Sequence, residues 1–433
     1  MFFFYSAVLA VALLFSLPYW LVQMLRHGKY REGLAARLGR IPPHIAQLNG
    51  VRSIWVHAVS VGELLGAAGL IRDLCLRFPT HRVLISTTTA TGQKLARERF
   101  GADNVFYFPL DFRFALRPYF RVLRPELIVV VETELWPNFF RMARHFGARI
   151  AVINARVSDR SFPRYRVLSR FLQPILDCVD LFLAQSRQDA GRIVAIGANP
   201  ERVEAAGNLK FDIPAGTESP LVAQLRTAIA GPVLVCGSSV EGEEPVLLDG
   251  FRHLRNRFPG LVMVLAPRHP QRFGHVAELV SASGQPCVRR SEWDGSPLAG
   301  GIFLLDSIGE LADVYQLANV AFVGGSLAPR GGHNILEAAR FGVPVVVGPH
   351  NENFRDTVRL FQQAGALRIA DAATLSTTFE ELLADPHLAH DLGVRAREAW
   401  RRNTGATART LTHLESLLPR RPRVLEMPRK ENA

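Results

Sequence analysis

The sequence predicts an α/β protein, with two Rossmann-like, doubly wound domains facing a ligand cleft behind an N-terminal membrane-anchor helix. Three observations carry that expectation. At 433 residues the chain is too long for one compact core. Short apolar runs alternate with polar or glycine-rich loops and helical patterns, and this alternation restarts after a turn-rich stretch near residues 205–220. Residues 1–25 carry no charged side chain.

Composition narrows the function classes. Nearly half of the residues are apolar and 27 are proline, as expected of a globular protein with many turns. Cys75, Cys178, Cys236 and Cys287 are scattered and form no CxxC pair, so neither a disulfide frame nor a zinc site is expected. Residues 1–210 hold 28 Lys and Arg against 15 Asp and Glu, whereas the remainder is close to neutral. The first half should therefore meet something anionic, a membrane surface or a phosphorylated substrate. No basic segment is interleaved with aromatics, so nucleic acid is not an expected partner.

In chain order, Phe2 to Val22 is apolar almost throughout. About 21 helical residues reach roughly 31 Å, near one hydrocarbon thickness. Residues 1–25 are read as the membrane anchor. The charges follow it, at Arg26, Lys29, Arg31, Arg37 and Arg40, which puts the rest of the chain on the cytoplasmic side. Pro18 and the Tyr19-Trp20 pair leave both a full span and a shallow interfacial helix open.

The first domain is expected over 26–212. Ile54–Ala58 reads as a strand, and Ser60-Val61-Gly62-Glu63 opens a helix through Leu64–Leu76. Glu63 either faces the crevice or only complements the helix dipole. Further strands are expected at Val83–Ser86, Leu127–Val131, Ile150–Ile153 and Leu181–Ala184, each ending in polar residues. Glu132 and Glu134 flank Thr133, so at most one should face the site unless the strand has ended at Glu132. Arg156, Arg160, Arg164 and Arg166 either hold phosphates or form a solvated loop.

The second domain is expected over 213–419, with strands at Pro232–Cys236, Leu261–Leu265, Ile302–Leu305, Val320–Val323 and Val345–Val347. Between the last two lies a glycine-rich loop, then Asn334 as a helix N-cap with Glu337 as its capping-box partner. The helix Ile335–Phe341 stops at Gly342. Such a loop leaves backbone N–H groups for a phosphate, although the glycines of an ordinary βαβ unit look the same. The Arg- and Pro-rich residues 420–433 read as a disordered basic tail.

Eight segments, in order, resemble one family. They are VSVGE (59–63), ETELWP (132–137), NAR (154–156), GNLKFD (207–212), GSSVEGEE (237–244), APRHP (266–270), GE (309–310) and GGSLAPRGGHNILEAA (324–339). Together they resemble the 3-deoxy-D-manno-octulosonic acid (Kdo) transferases of lipid A and lipopolysaccharide biosynthesis, inverting glycosyltransferases of the GT-B fold. One departure is visible: the family usually has His before EGE, and here Val240 stands there.

The resemblance implies transfer of Kdo from CMP-Kdo to a lipid A precursor at the cytoplasmic face of the inner membrane. CMP-Kdo, that glycolipid and an anionic membrane surface are the implied partners. It implies Glu63 as general base, and Glu132 and Lys210 as stabilisers of the transition state. CMP is expected against Pro267, Arg268, Ile308, Gly309, Glu310, Asn334, Ile335, Leu336 and Glu337, with Ser238, Ser239 and Glu241 near the donor. Glu337 would bond the ribose hydroxyls or cap its own helix. No DxD-type carboxylate pair occurs, so no metal or other cofactor is invoked.

Overall fold

The computed structural model describes residues 1–27, 32–213 and 219–418. The tail at 420–433 and most of the 214–220 linker lie outside the described residues. The chain forms two compact units, one of residues 1–212 together with 404–433, the other of 213–403.

The first unit holds a parallel seven-stranded sheet. Its strands are β1 (Ser53–His57), β2 (Arg82–Thr87), β3 (Val105–Tyr107), β4 (Pro125–Val131), β5 (Arg149–Ala155), β6 (Leu181–Ala184) and β7 (Val203–Ala205), in the spatial order 3-2-1-4-5-6-7. Both faces are covered, which is why the strands read as continuous apolar runs rather than as alternating ones. Trp55, Ile128, Val130 and Val152 point to one core with Phe120, Phe139 and Phe140. Their neighbours Ile54, Val56, Val129 and Ile153 point to the other, under the helix Val61–Arg77.

The second unit repeats the plan with β8 (Val233–Ser239), β9 (Val262–Pro267), β10 (Cys287–Arg289), β11 (Gly301–Leu304), β12 (Val320–Val323), β13 (Val345–Val347) and β14 (Arg368–Ile369), ordered 10-11-9-8-12-13-14. Every pairing in both sheets is parallel. The central strands fall where the sequence places them. β3, β7, β10 and β14, the four edge strands, are not predicted from it.

One domain boundary needs correction. The expected second domain, 213–419, loses its last helix, Ala406–Leu417, to the first unit. Ala406, Leu414 and Leu418 are buried there beside Ala206 and Leu209. Asp212 accepts the Gly405 N–H at 2.6 Å and also that of Thr407, and Arg409 Nε donates to the Ala206 carbonyl at 2.8 Å.

The N-terminal helix, Phe2–His27, is long and apolar enough to cross a membrane. Its first turn packs on the helix Pro137–His145. Asn138 Nδ2 donates to Ser6 Oγ at 3.0 Å, and the Arg141 guanidinium lies 5.1 Å from the Phe2 ring centre.

Candidate active site

In the first sheet the chain order reverses between β1 and β4, and this topological switch point is where open α/β sheets bind ligands. Glu63 stands in the first turn of the helix after β1, and Glu132 directly follows β4. Ser60 caps that helix. Its hydroxyl accepts the Glu63 N–H at 3.3 Å and donates back to Glu63 Oε1 at 2.8 Å, while the Val59 N–H donates to Oε2 at 2.7 Å. Burial outweighs these bonds. It raises the Glu63 carboxyl to about 7, with a further upward push from the charges of Glu132 and Glu134.

The strand ends at Val131, and Glu132 takes a left-handed backbone with φ of 63°. That turn breaks strand alternation, so both Glu132 and Glu134 act on Glu63. Glu134 is itself raised by burial and by Glu132. Lys210 Nζ stands 3.9 Å from Glu132 Oε1, and its stem crosses Gly66 of the Glu63-bearing helix. Three carboxylates therefore influence one another here, with the Lys210 ammonium beside Glu132.

Loops brace this group. Thr133 Oγ1 accepts the Arg156 N–H at 2.9 Å and donates to the Arg156 carbonyl at 2.6 Å. Asn154, left-handed with φ of 51°, accepts the Leu209 N–H at 3.1 Å and so fixes the turn that carries Lys210.

In the second unit the switch point lies between β8 and β12, and its loops hold Ser238–Glu244 and Gly324–Glu337. Arg268 follows β9 with an exposed side chain, and its charge reaches both His333 and Glu337. Asn334 accepts the Leu336 N–H at 3.2 Å and donates to Glu337 Oε1 at 3.2 Å. Burial raises the Glu337 carboxyl. In the Ile308-Gly309-Glu310 turn, Ile308 is exposed, and Glu310 binds the Ser307 hydroxyl and Arg290.

Residues 32–213 match the family described as 3-deoxy-D-manno-octulosonic-acid transferase (kdotransferase). The 3-deoxy-D-manno-octulosonic acid transferase of Haemophilus influenzae is 33% identical over 430 residues, spanning 96% of this chain and 99% of its own. That of Bordetella pertussis is 37% identical over 378 residues, 84% of this chain and 87% of its own. The chain belongs to this transferase family. Among solved structures, the UDP-GlcNAc 2-epimerase of Neisseria meningitidis superposes with a TM-score of 0.56 at 12% identity, over 84% of this chain and 99% of that one. The Staphylococcus aureus MnaA–UDP structure gives 0.52 at 16% identity over 86% and 99%. These two likenesses show the GT-B-like fold alone.

Glu63, Glu132 and Lys210 lie together in the first unit. The glycine loop differs from expectation. Its amides at Gly325, Ser326, Leu327 and Ala328 all donate to the buried carboxylate of Glu243, the first three at 2.8–2.9 Å. The amides at the start of the loop are thus taken by the chain's own anion, which also accepts the Val240 N–H at 3.1 Å. The expected helix shrinks to one turn, Leu336–Ala339, though Gly342 is left-handed as anticipated. Ser239 is turned inward, donating to Glu244, which Arg272 clamps bidentately; Glu241 is exposed. Val240 is buried.

Four shaping residues are missed by sequence reasoning: Asn154, Glu243, His57 and His333. His57 is buried, stacked 3.9 Å on Phe108, and held neutral by burial, which lowers it to about 3. His333 is lowered to about 4, first by burial and then by Arg268 and His269. A polar residue just past a strand end was the available signal for Asn154. Glu243 offered none, because three glutamates sit together in EGEE.

Proposed function

We propose that this chain transfers Kdo, with inversion, from CMP-Kdo to a hydroxyl of a lipid A precursor at the cytoplasmic face of the inner membrane. The observation that carries the reading is the carboxylate group around Glu63 at the switch point of a Kdo transferase family member. Glu63 accepts the proton of the acceptor hydroxyl as that oxygen forms a bond to the anomeric carbon of Kdo and the CMP phosphate leaves. A carboxyl raised to about 7 suits this role, since a base works best with a pKa near the working pH. Ser60 and Val59 aim it.

Lys210 and Glu132 stabilise the transition state. The ammonium, fixed by Asn154 through its turn, meets the Kdo carboxylate or the leaving phosphate where low dielectric strengthens it. Arg268, the Ile308–Glu310 turn and Asn334–Glu337 hold CMP, with Ser238 and Glu241 beside the donor. The exposed Arg268 cation, whose charge reaches His333 and Glu337, is a side chain suited to the phosphate. Charge supplied by Lys210 and Arg268 removes the need for a divalent metal. The apolar N-terminal helix and the basic first half support a membrane-bound, phosphorylated glycolipid as acceptor.

The test offers CMP-Kdo and a UDP-hexose in parallel to the full chain with a detergent-dispersed, tetraacylated lipid A precursor. A mass increase by one or more Kdo residues, with CMP-Kdo alone, is the expected result. Transfer only from the UDP-sugar would overturn the donor assignment and point to Val240, which replaces the family's usual His.

A further inference from the structure

We propose that the helix pair Phe162–Val167 and Ser169–Leu176 is a second membrane contact, laying its outer face into an anionic phospholipid bilayer. The inference rests on the reading that the protein works at such a membrane. Val167, Leu168 and Phe171 expose 83%, 47% and 62% of their surface. With Arg164 they fall at i, i+3, i+4 and i+7, one stripe along the pair. Apolar residues also anchor the pair to the protein: Phe162, Tyr165 and Leu172 pack on the core, and Ile175 and Leu176, at the C-terminal end, are buried in it. A surface helix apolar on both sides leaves one face without a partner among the described residues.

Charge selects the partner. Residues 160–176 contain four arginines and no Asp or Glu, and Arg164, Arg166 and Arg170 are exposed beside the apolar stripe. Apolar residues rimmed by arginine suit an anionic lipid surface, where the guanidinium groups meet phosphates and the side chains between them reach the acyl boundary. A second copy of the chain docking by the same face would set arginine against arginine.

Position agrees. The helix Pro137–His145 packs against both the N-terminal helix and Ser169–Leu176, so the membrane-seeking helix and the proposed contact share one layer of the first unit. In that layer a cavity of ≈ 210 Å³ is lined by Arg113, Asn138, Arg141, Met142 and His145, a cationic seat for a lipid phosphate. Docking by this layer also keeps the first turn of the N-terminal helix on Asn138 and Arg141.

Nitroxide labels at Val167→Cys, Phe171→Cys and, as control, Leu76→Cys test this in the full chain. The background carries Cys75→Ser, Cys178→Ser and Cys287→Ser, with buried Cys236 retained. Leu76 is exposed on the helix Val61–Arg77, which covers the opposite face of the sheet. On adding phosphatidylglycerol-containing vesicles without acceptor, labels at 167 and 171 should gain oxygen collisions. Their collisions with a water-soluble nickel chelate should fall several-fold, while the label at 76 stays aqueous. Aqueous behaviour at 167 and 171 overturns the proposal. So does equal immersion in purely zwitterionic vesicles, immersion only once acceptor glycolipid is present, or spin–spin broadening without lipid, which would mean self-association. Wild-type transfer in detergent, measured alongside, separates failure of this contact from failure of the transferase reading.

Discussion

Glu63 gathers opposing influences into one carboxyl. Two donors favour its charged form, and burial with two neighbouring carboxylates disfavours it, leaving it near 7. A base must be deprotonated to act, so kcat/KM should rise with pH through an apparent value near 7 and level off above it. Glu134→Gln removes one like charge and should move that midpoint downward, as a pH–rate profile would show; an unmoved midpoint would remove Glu134 from the group. Glu63 was legible as a first-turn residue of a helix directly after a strand, and its role as base only through the family resemblance. The choice between Glu132 and Glu134 was not. It depends on a positive φ at Glu132, which a glutamate seldom adopts and no local pattern announces.

Among elements, the glycine loop after β12 stands where its motif places it, but its first amides serve a group outside the motif. Its amides do converge on an anion, and that anion is Glu243. Glu243→Gln would turn an amide NH₂ toward backbone donors, leaving at least one unpaired, and should cost about 3 kcal/mol. Denaturant unfolding should register this as a lower midpoint. A change within error would mean the nest is satisfied in another way. Asp212 does comparable work at the start of Ala406–Leu417, and Asp212→Ala should cost about 1–2 kcal/mol there. Faster hydrogen exchange over 406–417, with the helix Val61–Arg77 unchanged, is the expected sign. Central strands were legible because burial on both faces gives continuous apolar runs bounded by turn residues, even in three-residue β13. β3, β7, β10 and β14 have two or three residues each, too few for any period to emerge, and as edge strands they are held by one neighbour.

Across the whole molecule, two Rossmann-type units follow from length, alternation and the linker, but the return of the C-terminal helix does not. An amphipathic helix shows that one face is buried and not which sheet buries it. The Asp212 cap, the Arg409 bond to Ala206, the Arg77–Glu415 ion pair and the apolar patch at Ala206 and Leu209 assign Ala406–Leu417 to the first unit. Charge is legible at this scale too, since the basic excess falls in the part of the chain that carries the apolar helix and the Glu63 group. The central claim joins that group to Kdo transfer. Its most direct test is single-turnover transfer from CMP-Kdo by wild type and Glu63→Gln, with CMP affinity measured on both. The account predicts a loss of about 10²–10⁴-fold in rate with CMP affinity unchanged. A Glu63→Gln protein that transfers at the wild-type rate would contradict it.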